Sequence, residues 1–542
     1  MSKIDTLLKY YHTIKHLKLR QTIGRTYAVF KKKLNLSRIS IPQTEICGTI
    51  KPKVPFLNHD PWNSANEIAK GNFCFLNRKE NLGSPIDWNA DETPPLWKFN
   101  LHYFNFLYLL DQSQQIAICR EWIKINPIPA GTGWSPYVTS LRIVNWIKAD
   151  IDSDEVQKSL FQQAEYLYNN LEFYHPGNHY LENAKALIFA GIYFQDVPQS
   201  KKWLKKGEKI VSKELSIQVL ADGGYFELTQ MYHAIMLHGF LDILNILPKT
   251  NNLYKSLTLV IIKMLDFLKS NTHPNGEIAL FNDSATEIAP STNDLINYAR
   301  KLVNYKPQLK TSFENSGYYM YQDDDIYIII DGGAIGPDYL PAHAHADIFS
   351  YELSIKDQKF ITDSGVYEYT KGKIREQLRS TKSHNTVAID NLDQVECWNS
   401  FRVARRYKPS NVVFFESENG VKFSGGYEGY AKLIGDKIYH ERQITINKER
   451  KEIIVSENIS GKNEHLAESF IHLAPNSKVI EIRDGYEIEF AGQKTSIKIL
   501  NGKKRIENST YYPQFGNKID RLKIVISEYS VLPLKIQYII SY

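Results

Sequence analysis

The stretch NDLINYARKLVNYKPQLKTSFENSGYYMYQDDDIYIII, residues 293–330, contains the change of pattern that decides the fold. Before it, from about Leu96 to Leu302, the chain reads as successive helices of ordinary length with short breaks. After it, from about Gly317, short β-rich runs alternate with turns, beginning with Ile326–Ile330. The switch falls near residues 305–316. Strands that follow a long run of helices form a separate layer or domain. A chain of 542 residues is in any case too long for one hydrophobic core.

Upstream, helices are expected over Trp97–Leu110, Trp134–Ala149, Asp154–Leu171, His179–Phe194, Lys201–Leu220, Phe226–Leu247 and Leu253–Ser270. Asn126-Pro127, His175-Pro176-Gly177, Asp222-Gly223-Gly224, Leu247-Pro248 and His273-Pro274-Asn275-Gly276 separate them. Helices joined by short loops pack antiparallel, and a long series closes on itself or forms a solenoid. Downstream, strands are expected at Lys359–Thr362, Thr386–Ile389, Val412–Glu416, Ile438–Asn447, Lys451–Ser456, Glu468–Leu473, Ile480–Ile482 and Lys523–Ser527. The fold class is α+β and multidomain. Its parts are a basic helical lead-in (1–90), a helical domain (91–310) and an antiparallel β-sandwich (311–542).

Composition narrows the function classes. Apolar content of 43% and charged content of 23% are those of a soluble globular protein. The 34 Tyr, 25 Phe and 8 Trp suit a glycan-binding surface, and a large core equally well. A net charge of +6 over this length falls short of a nucleic-acid-binding signature and permits an anionic partner. Cys47, Cys74, Cys119 and Cys397 are scattered, so neither a disulfide framework nor a CxxC site is expected. No apolar stretch reaches the roughly 18 residues of a membrane span. The first residues lack the apolar core of a secretory signal, which makes a cytoplasmic location the default expectation. They carry instead Lys3, Lys9, Lys15, Lys18, Arg20, Arg25 and Lys31 to Lys33 against one acid, Asp5. Ile4, Leu7, Leu8, Tyr11, Ile14 and Leu17 fall on one helical stripe there, for docking on the protein itself or on a membrane surface.

Three segments carry candidate chemistry. His343-Ala344-His345-Ala346-Asp347 is followed by Asp363 in Thr362-Asp363-Ser364-Gly365 and by His384 in Ser383-His384-Asn385-Thr386. In an extended chain His343 and His345 point the same way, and imidazoles with carboxylates from neighbouring strands suit a transition metal. Gly177-Asn178-His179-Tyr180-Leu181-Glu182-Asn183 places Asn178 and His179 at the mouth of a helix, where anions are favoured. Asn178 would also serve as a plain helix cap. Glu182, one turn on, is placed to orient either neighbour. Ala221-Asp222-Gly223-Gly224 leads into a helix bearing Glu227 and Tyr232. Two basic clusters, Lys371, Lys373, Arg375, Arg379, Lys382 and Arg402, Arg405, Arg406, Lys408, supply positive charge beside the histidines.

The segments WKFNLHYFNFL (97–107), GNHYLENAKAL (177–187), ADGGYFELTQMYH (221–233), LFNDSA (280–285), GPDYLPAHAHADIFSYEL (336–353), TDSG (362–365) and RSTKSHNTVAIDNLDQVECWNSFRVARR (379–406) together resemble the heparinase II/III family of polysaccharide lyases. They occur in family order over roughly residues 95 to 410. The resemblance implies an incomplete α/α toroid followed by a β-sandwich, with the active site in the cleft between them. It implies Asn178, with His179, as neutraliser of a substrate carboxylate, and Tyr232 and His343 as catalytic groups. It implies His345, Asp363 and His384 as ligands of one divalent transition metal, zinc or manganese. Glu182, Glu227, Arg375, Arg379, Trp398, Arg402 and Arg405 are then expected to contact an anionic polysaccharide.

That chemistry has a physical logic. The C5 proton of a uronate is α to a carboxylate, so its removal builds a doubly charged enolate unless the carboxylate is neutralised. Tyr232 would take that proton or protonate the departing O4. A phenol of ordinary pKa, about 10, needs nearby positive charge to act as a base. Alginate or exopolysaccharide lyases of the same mechanism, a uronate epimerase and a noncatalytic glycan-binding or capsule-assembly protein are the competing readings. Oligomeric state is open.

Overall fold

Two kinds of helix follow one another along residues 95–303 of the computed structural model, which describes residues 3–33 and 46–542. Residues 34–45 of the expected lead-in, and the side chains of Lys3, Lys32 and Lys33, lie outside what is described. Asn178–Tyr193 and Gln230–Ile246 bury almost every side chain, as helices covered on all sides do. Asp154–Asn169, Ser200–Gln218 and Asn252–Ser270 bury one face and present the other to solvent. The covered helices form an inner layer. Pro95–Tyr103 packs on Pro136–Ala149, which packs on Asn178–Tyr193, then Gln230–Ile246, then Thr292–Val303. The amphipathic helices back them from outside, and this curved double layer is the incomplete α/α toroid.

Two local expectations need correction. The helix expected over Trp97–Leu110 stops at Tyr103, because Phe104 takes a left-handed conformation (φ 62°). Its buried ring there packs against Trp88, Trp122 and Trp146, with centroids 5.3, 6.3 and 5.4 Å away. Aromatic burial overrides helix propensity at that point. The structure also has a helix over Gln112–Ile125, opened by a capping box between Asp111 and Gln114.

The strands are antiparallel throughout. A five-stranded meander runs Ser312–Phe313, Tyr318–Gln322, Ile326–Asp331, Tyr351–Ile355 and Gln358–Ile361. An eight-stranded and a four-stranded sheet follow. Strand Tyr439–Asn447 alternates buried and half-buried residues, as a strand with one covered face does. One core joins the three sheets through residues such as Ile328, Leu353, Val387, Ile444, Ile471, Ile524 and Ile536. Helical domain and sandwich share a smaller apolar cluster of Leu228, Phe267, Phe281, Tyr318 and Ile329.

Gly317 opens the first long strand at φ 81°, and a Cβ added there would lie 2.1 Å from Gly333 Cα. Gly317→Ala is expected to destabilise the sandwich by about 1–3 kcal/mol, read as a lower melting temperature. Gly372→Ala is the control: its backbone is extended, a Cβ there meets nothing within 4 Å, and stability should hold.

Candidate active site

Asn178 and Tyr232 both occupy the first turn of an inner helix. Asn178 begins its helix straight after the Pro176-Gly177 break. Its Oδ1 accepts the His179 N–H at 2.9 Å, and its Nδ2 makes no hydrogen bond among the described residues. Tyr232 is fixed by the Thr229 cap, whose Oγ1 accepts the Tyr232 N–H at 3.0 Å. From the sandwich side, the connection between Ile326–Asp331 and Tyr351–Ile355 delivers His343. The rings of Tyr232 and His343 lie 4.1 Å apart by centroid and 31° from parallel. Glu227 ties the pieces together. Its Oε2 is 3.2 Å from His343 Nε2, its carboxylate also accepts the Asn178 backbone N–H, and Tyr225 Oη donates to its Oε1 at 3.3 Å.

The segment carrying His343 and His345 is a loop, not a strand. Both imidazoles still point to one place, the carboxylate of Asp283. His343 Nδ1 lies 3.0 Å from Oδ2 and His345 Nε2 lies 2.8 Å from Oδ1. Arg375 donates to both oxygens, with Nη2 2.7 Å from Oδ2. Backbone bonds clamp the same loops. Asp283 N–H donates to His343 O at 3.1 Å and His345 N–H to Asn282 Oδ1 at 2.9 Å.

Burial sets the charge states. Burial opposes ionisation of Asp283, but Arg375 and the two imidazoles hold its carboxyl well below the usual range. Burial pushes Glu227 up, against the pull of His343. Burial also drives the Tyr232 phenol well above its ordinary value, reinforced by Tyr369, Glu227 and Asp283. The Tyr232 and Tyr369 hydroxyls are 3.3 Å apart. Burial pulls His179 down, yet Glu172, 3.3 Å from its Nδ1, raises it overall. The His179 ring stacks on Tyr137, centroids 4.2 Å apart.

The expected metal ligands lie together below this cluster. His345 and His384 rings are 5.2 Å apart, and His384 Nδ1 is 2.9 Å from Asp363 Oδ2. His345 Nδ1 and His384 Nε2 are buried with no hydrogen-bond partner among the described residues. Asp331, Asp347 and Asp363 crowd the same volume. Burial, with Asp363 opposing His384, lifts Asp347 to about 6. Two unpartnered imidazole nitrogens beside under-compensated carboxylates are a donor set that fits a divalent cation. As they stand, no three His, Cys, Asp or Glu side chains among the described residues are arranged to hold a metal ion.

Burial corrects three expected substrate contacts, Arg375, Arg379 and Glu182. Arg375 and Arg379 are almost wholly enclosed, and they donate to Asp283, Ala344 O, Asn399 O and Ser400 O. They brace the site and do not meet a glycan. Arg405, half-buried, pairs with Glu396 at 3.1 Å, and Arg402 stays exposed over the Trp398 ring, so both keep a surface that a glycan can reach. Trp398 is covered by the N-terminal helix, through Tyr10 and Thr13. Glu182 is buried against Lys185 at 2.6 Å, and Glu172 is the acid beside His179. Asp283, Glu172, Tyr369 and Phe401 were not singled out from the sequence. Asp283 lies within the quoted LFNDSA segment, which was the available signal. Phe401, half-exposed with its ring 6.1 Å from His343, supplies an apolar wall.

Fold and site define a helical-toroid and β-sandwich protein with a buried polar cluster on the seam between its domains. Residues 142–311 match the Heparinase II/III N-terminus family, and residues 306–537 match Heparinase II/III-like, C-terminal. The chain belongs to the heparinase II/III family. Relatives include a heparin-sulfate lyase of Pedobacter heparinus, 26% identical over 270 residues, 44% of this chain and 40% of that protein. Another, from Bacteroides stercoris, is 28% identical over 419 residues, covering 62% of this chain and 60% of that protein. The matches thus span about half the length of those relatives. Among solved structures, heparinase III aligns with TM-score 0.70 and 18% identity over 97% of this chain and 91% of that one. The heparan sulfate lyase HepC of P. heparinus aligns with TM-score 0.59 and 19% identity, covering 88% and 82%. At such identities the likeness to these structures is one of fold.

Arg375→Met removes the buried cation from Asp283. The expected loss is about 3–5 kcal/mol of stability, as for a broken buried ion pair. Thermal unfolding checks it, and a variant of parental stability with only a raised KM would restore Arg375 to substrate binding.

Proposed function

We propose that the protein is a polysaccharide lyase that cleaves a uronate-containing glycosaminoglycan by β-elimination. The observation that carries this reading is the Tyr232–His343 pair, centroids 4.1 Å apart, with Asn178 joined to it through Glu227. An acid, a base and a carboxylate-binding amide are the groups this elimination needs. The heparin-sulfate lyases among its relatives favour a glycosaminoglycan over alginate.

Each group has a task that its surroundings suit. Asn178 Nδ2 donates to the substrate carboxylate, and His179, raised by Glu172, adds positive charge to the same end. Negative charge that develops on the enolate is stabilised there. Tyr232 starts as a neutral phenol, because burial and neighbouring acids oppose its ionisation. It therefore suits protonation of the departing O4. His343 accepts the C5 proton at Nε2 once substrate displaces the Glu227 carboxylate from that nitrogen, with Asp283 fixing the ring at Nδ1. His345, His384 and Asp363 would hold one zinc or manganese ion, which supplies fixed positive charge and rigidity beneath the catalytic loop.

Two measurements test this reading. Incubation with heparan sulfate, chondroitin, hyaluronan and alginate should give ultraviolet absorbance from a new C4–C5 double bond with a glycosaminoglycan. Tyr232→Phe should lower kcat by about 10²–10⁴ and Asn178→Ala by about 10²–10³, with melting temperatures near the parent's. The acid form of Tyr232 is required and its pKa is raised. Alkaline loss of kcat/KM should therefore begin only above about pH 10. A rate that climbs toward pH 10 would instead make Tyr232 a phenolate base. Absence of unsaturated product from every uronate polymer would sink the lyase reading.

The metal is checked separately. Protein purified without added metal should carry about one transition ion per chain. His345→Ala and His384→Ala should lose it and melt earlier; a metal-free, fully stable and fully active protein would overturn this assignment.

A further inference from the structure

The two N-terminal helices are turned the opposite way from helices of a globular domain. The first, α1, spans Lys3–Ile14 and the second, α2, spans Leu19–Lys33. On α1 the apolar stripe Ile4, Leu7, Leu8, Tyr11 and Ile14 faces outward, each side chain 39–69% exposed. The polar face is the docked one. Tyr10 meets Trp398 edge-on at 5.1 Å, Trp398 Nε1 donates to Thr13 Oγ1 at 3.1 Å, and Lys9 lies 3.6 Å from Glu396. α2 repeats the arrangement. Leu19, Ile23, Tyr27, Val29 and Phe30 are each more than half exposed, while Gln21 is buried and donates to Tyr339 O at 3.0 Å. A Cβ on Gly24 would lie 2.6 Å from Tyr174 Cβ, so glycine allows that close approach.

A helix of a soluble domain docks through its apolar stripe. Here small and polar residues dock together with the edges of Tyr10 and Tyr27, which meet Trp398 and Phe173, and the other nine large apolar side chains face away from the protein. The charge around them indicates the occupant. Residues 1–33 hold nine lysines and arginines and one acid, Asp5. Lys15 and Arg25 are exposed on the two helices. A second copy of this face would bring like charge against like. An acidic bilayer offers hydrocarbon for Leu, Ile and Phe, an interfacial zone for Tyr, and phosphates for Lys and Arg.

We propose that α1 and α2 form a docking face for an anionic lipid membrane. Their inner side touches Trp398 of the sandwich, Tyr339 and the Phe173-Tyr174 segment of the helical domain. The bilayer would then lie beside the seam between the two domains.

Flotation of the full chain tests the proposal, with vesicles of phosphatidylcholine alone or mixed with phosphatidylglycerol. The chain should float with acidic vesicles about tenfold more than with neutral ones, and less so as salt rises. Leu7→Asp with Ile23→Asp should abolish flotation. Lys15→Glu with Arg25→Glu, which leaves the apolar stripe intact, should weaken it, and both proteins should melt like the parent. The proposal is overturned by no binding to acidic vesicles, by equal binding to neutral ones, or by flotation that survives both pairs of substitutions. It is equally overturned if the chain self-associates through this face without binding vesicles, which would make a second copy the occupant.

Discussion

A single buried carboxylate, that of Asp283, fixes where the two domains place their reactive groups. It faces His343 and His345 from the sandwich and Arg375 from the helix Lys373–Leu378, with no exposure to solvent. Alone, a carboxylate at that depth would give up its charge, because desolvation costs several kcal/mol. Arg375 keeps it ionised, and the ionised form orients two imidazoles at once. Asp283 belongs to the helical domain's own segment, so the His343–His345 loop of the sandwich is oriented from across the seam. The backbone bonds of Asn282 and Asp283 to that loop make the arrangement a clamp with several attachment points.

Around this node three further buried charged groups of the sandwich act as supports. Glu352 accepts the Asp363 N–H at 2.7 Å and faces His273 at the same distance. Arg442 pairs with Glu457 and donates to Phe349 O and Asn385 O, at 2.6 and 2.5 Å. Arg521 donates to Thr362 O and Asp363 O. Each charge meets main-chain groups next to His384, Asp363 or the His345 loop. A buried ion pair adds little net stability, but its directionality fixes loops that apolar packing would leave free to shift. That is the form of preorganisation an electrostatic active site needs.

The sequence made the two-layer architecture legible because hydrophobic period changes abruptly between helix and strand. Asn178, Tyr232 and His343 were legible as members of motifs, and the structure brings them to one cluster. What could not be read was direction. Arg375 and Arg379 look like a solvated basic face in the sequence, but burial turns them into braces. Trp398 looks like a sugar platform, yet Tyr10 and Thr13 of the N-terminal helix cover it. The apolar stripe Ile4–Ile14 has the spacing of a docking face, and the structure points it outward. Asp283 was missed for a related reason: one Asp in a short segment has no periodicity, and its partners are about 60 to 92 residues away.

Placement on a domain seam brings Tyr232 and His343 to short range from different elements. The phenol comes from a helix whose surroundings are apolar or acidic, so its neutral form is favoured. The imidazole comes from a loop held between two carboxylates, Glu227 and Asp283, one at each ring nitrogen. Two titratable groups in contact would ordinarily share one environment. Tyr232 and His343 do share one, because Glu227 and Asp283 both raise the phenol and flank the imidazole, and in the proposed mechanism the phenol is the acid and the imidazole the base. Any motion of sandwich against toroid would first stretch the contacts from His343 to Glu227 and Asp283. The same two carboxylates thus hold the His343 loop against the helical domain and set the surroundings of Tyr232.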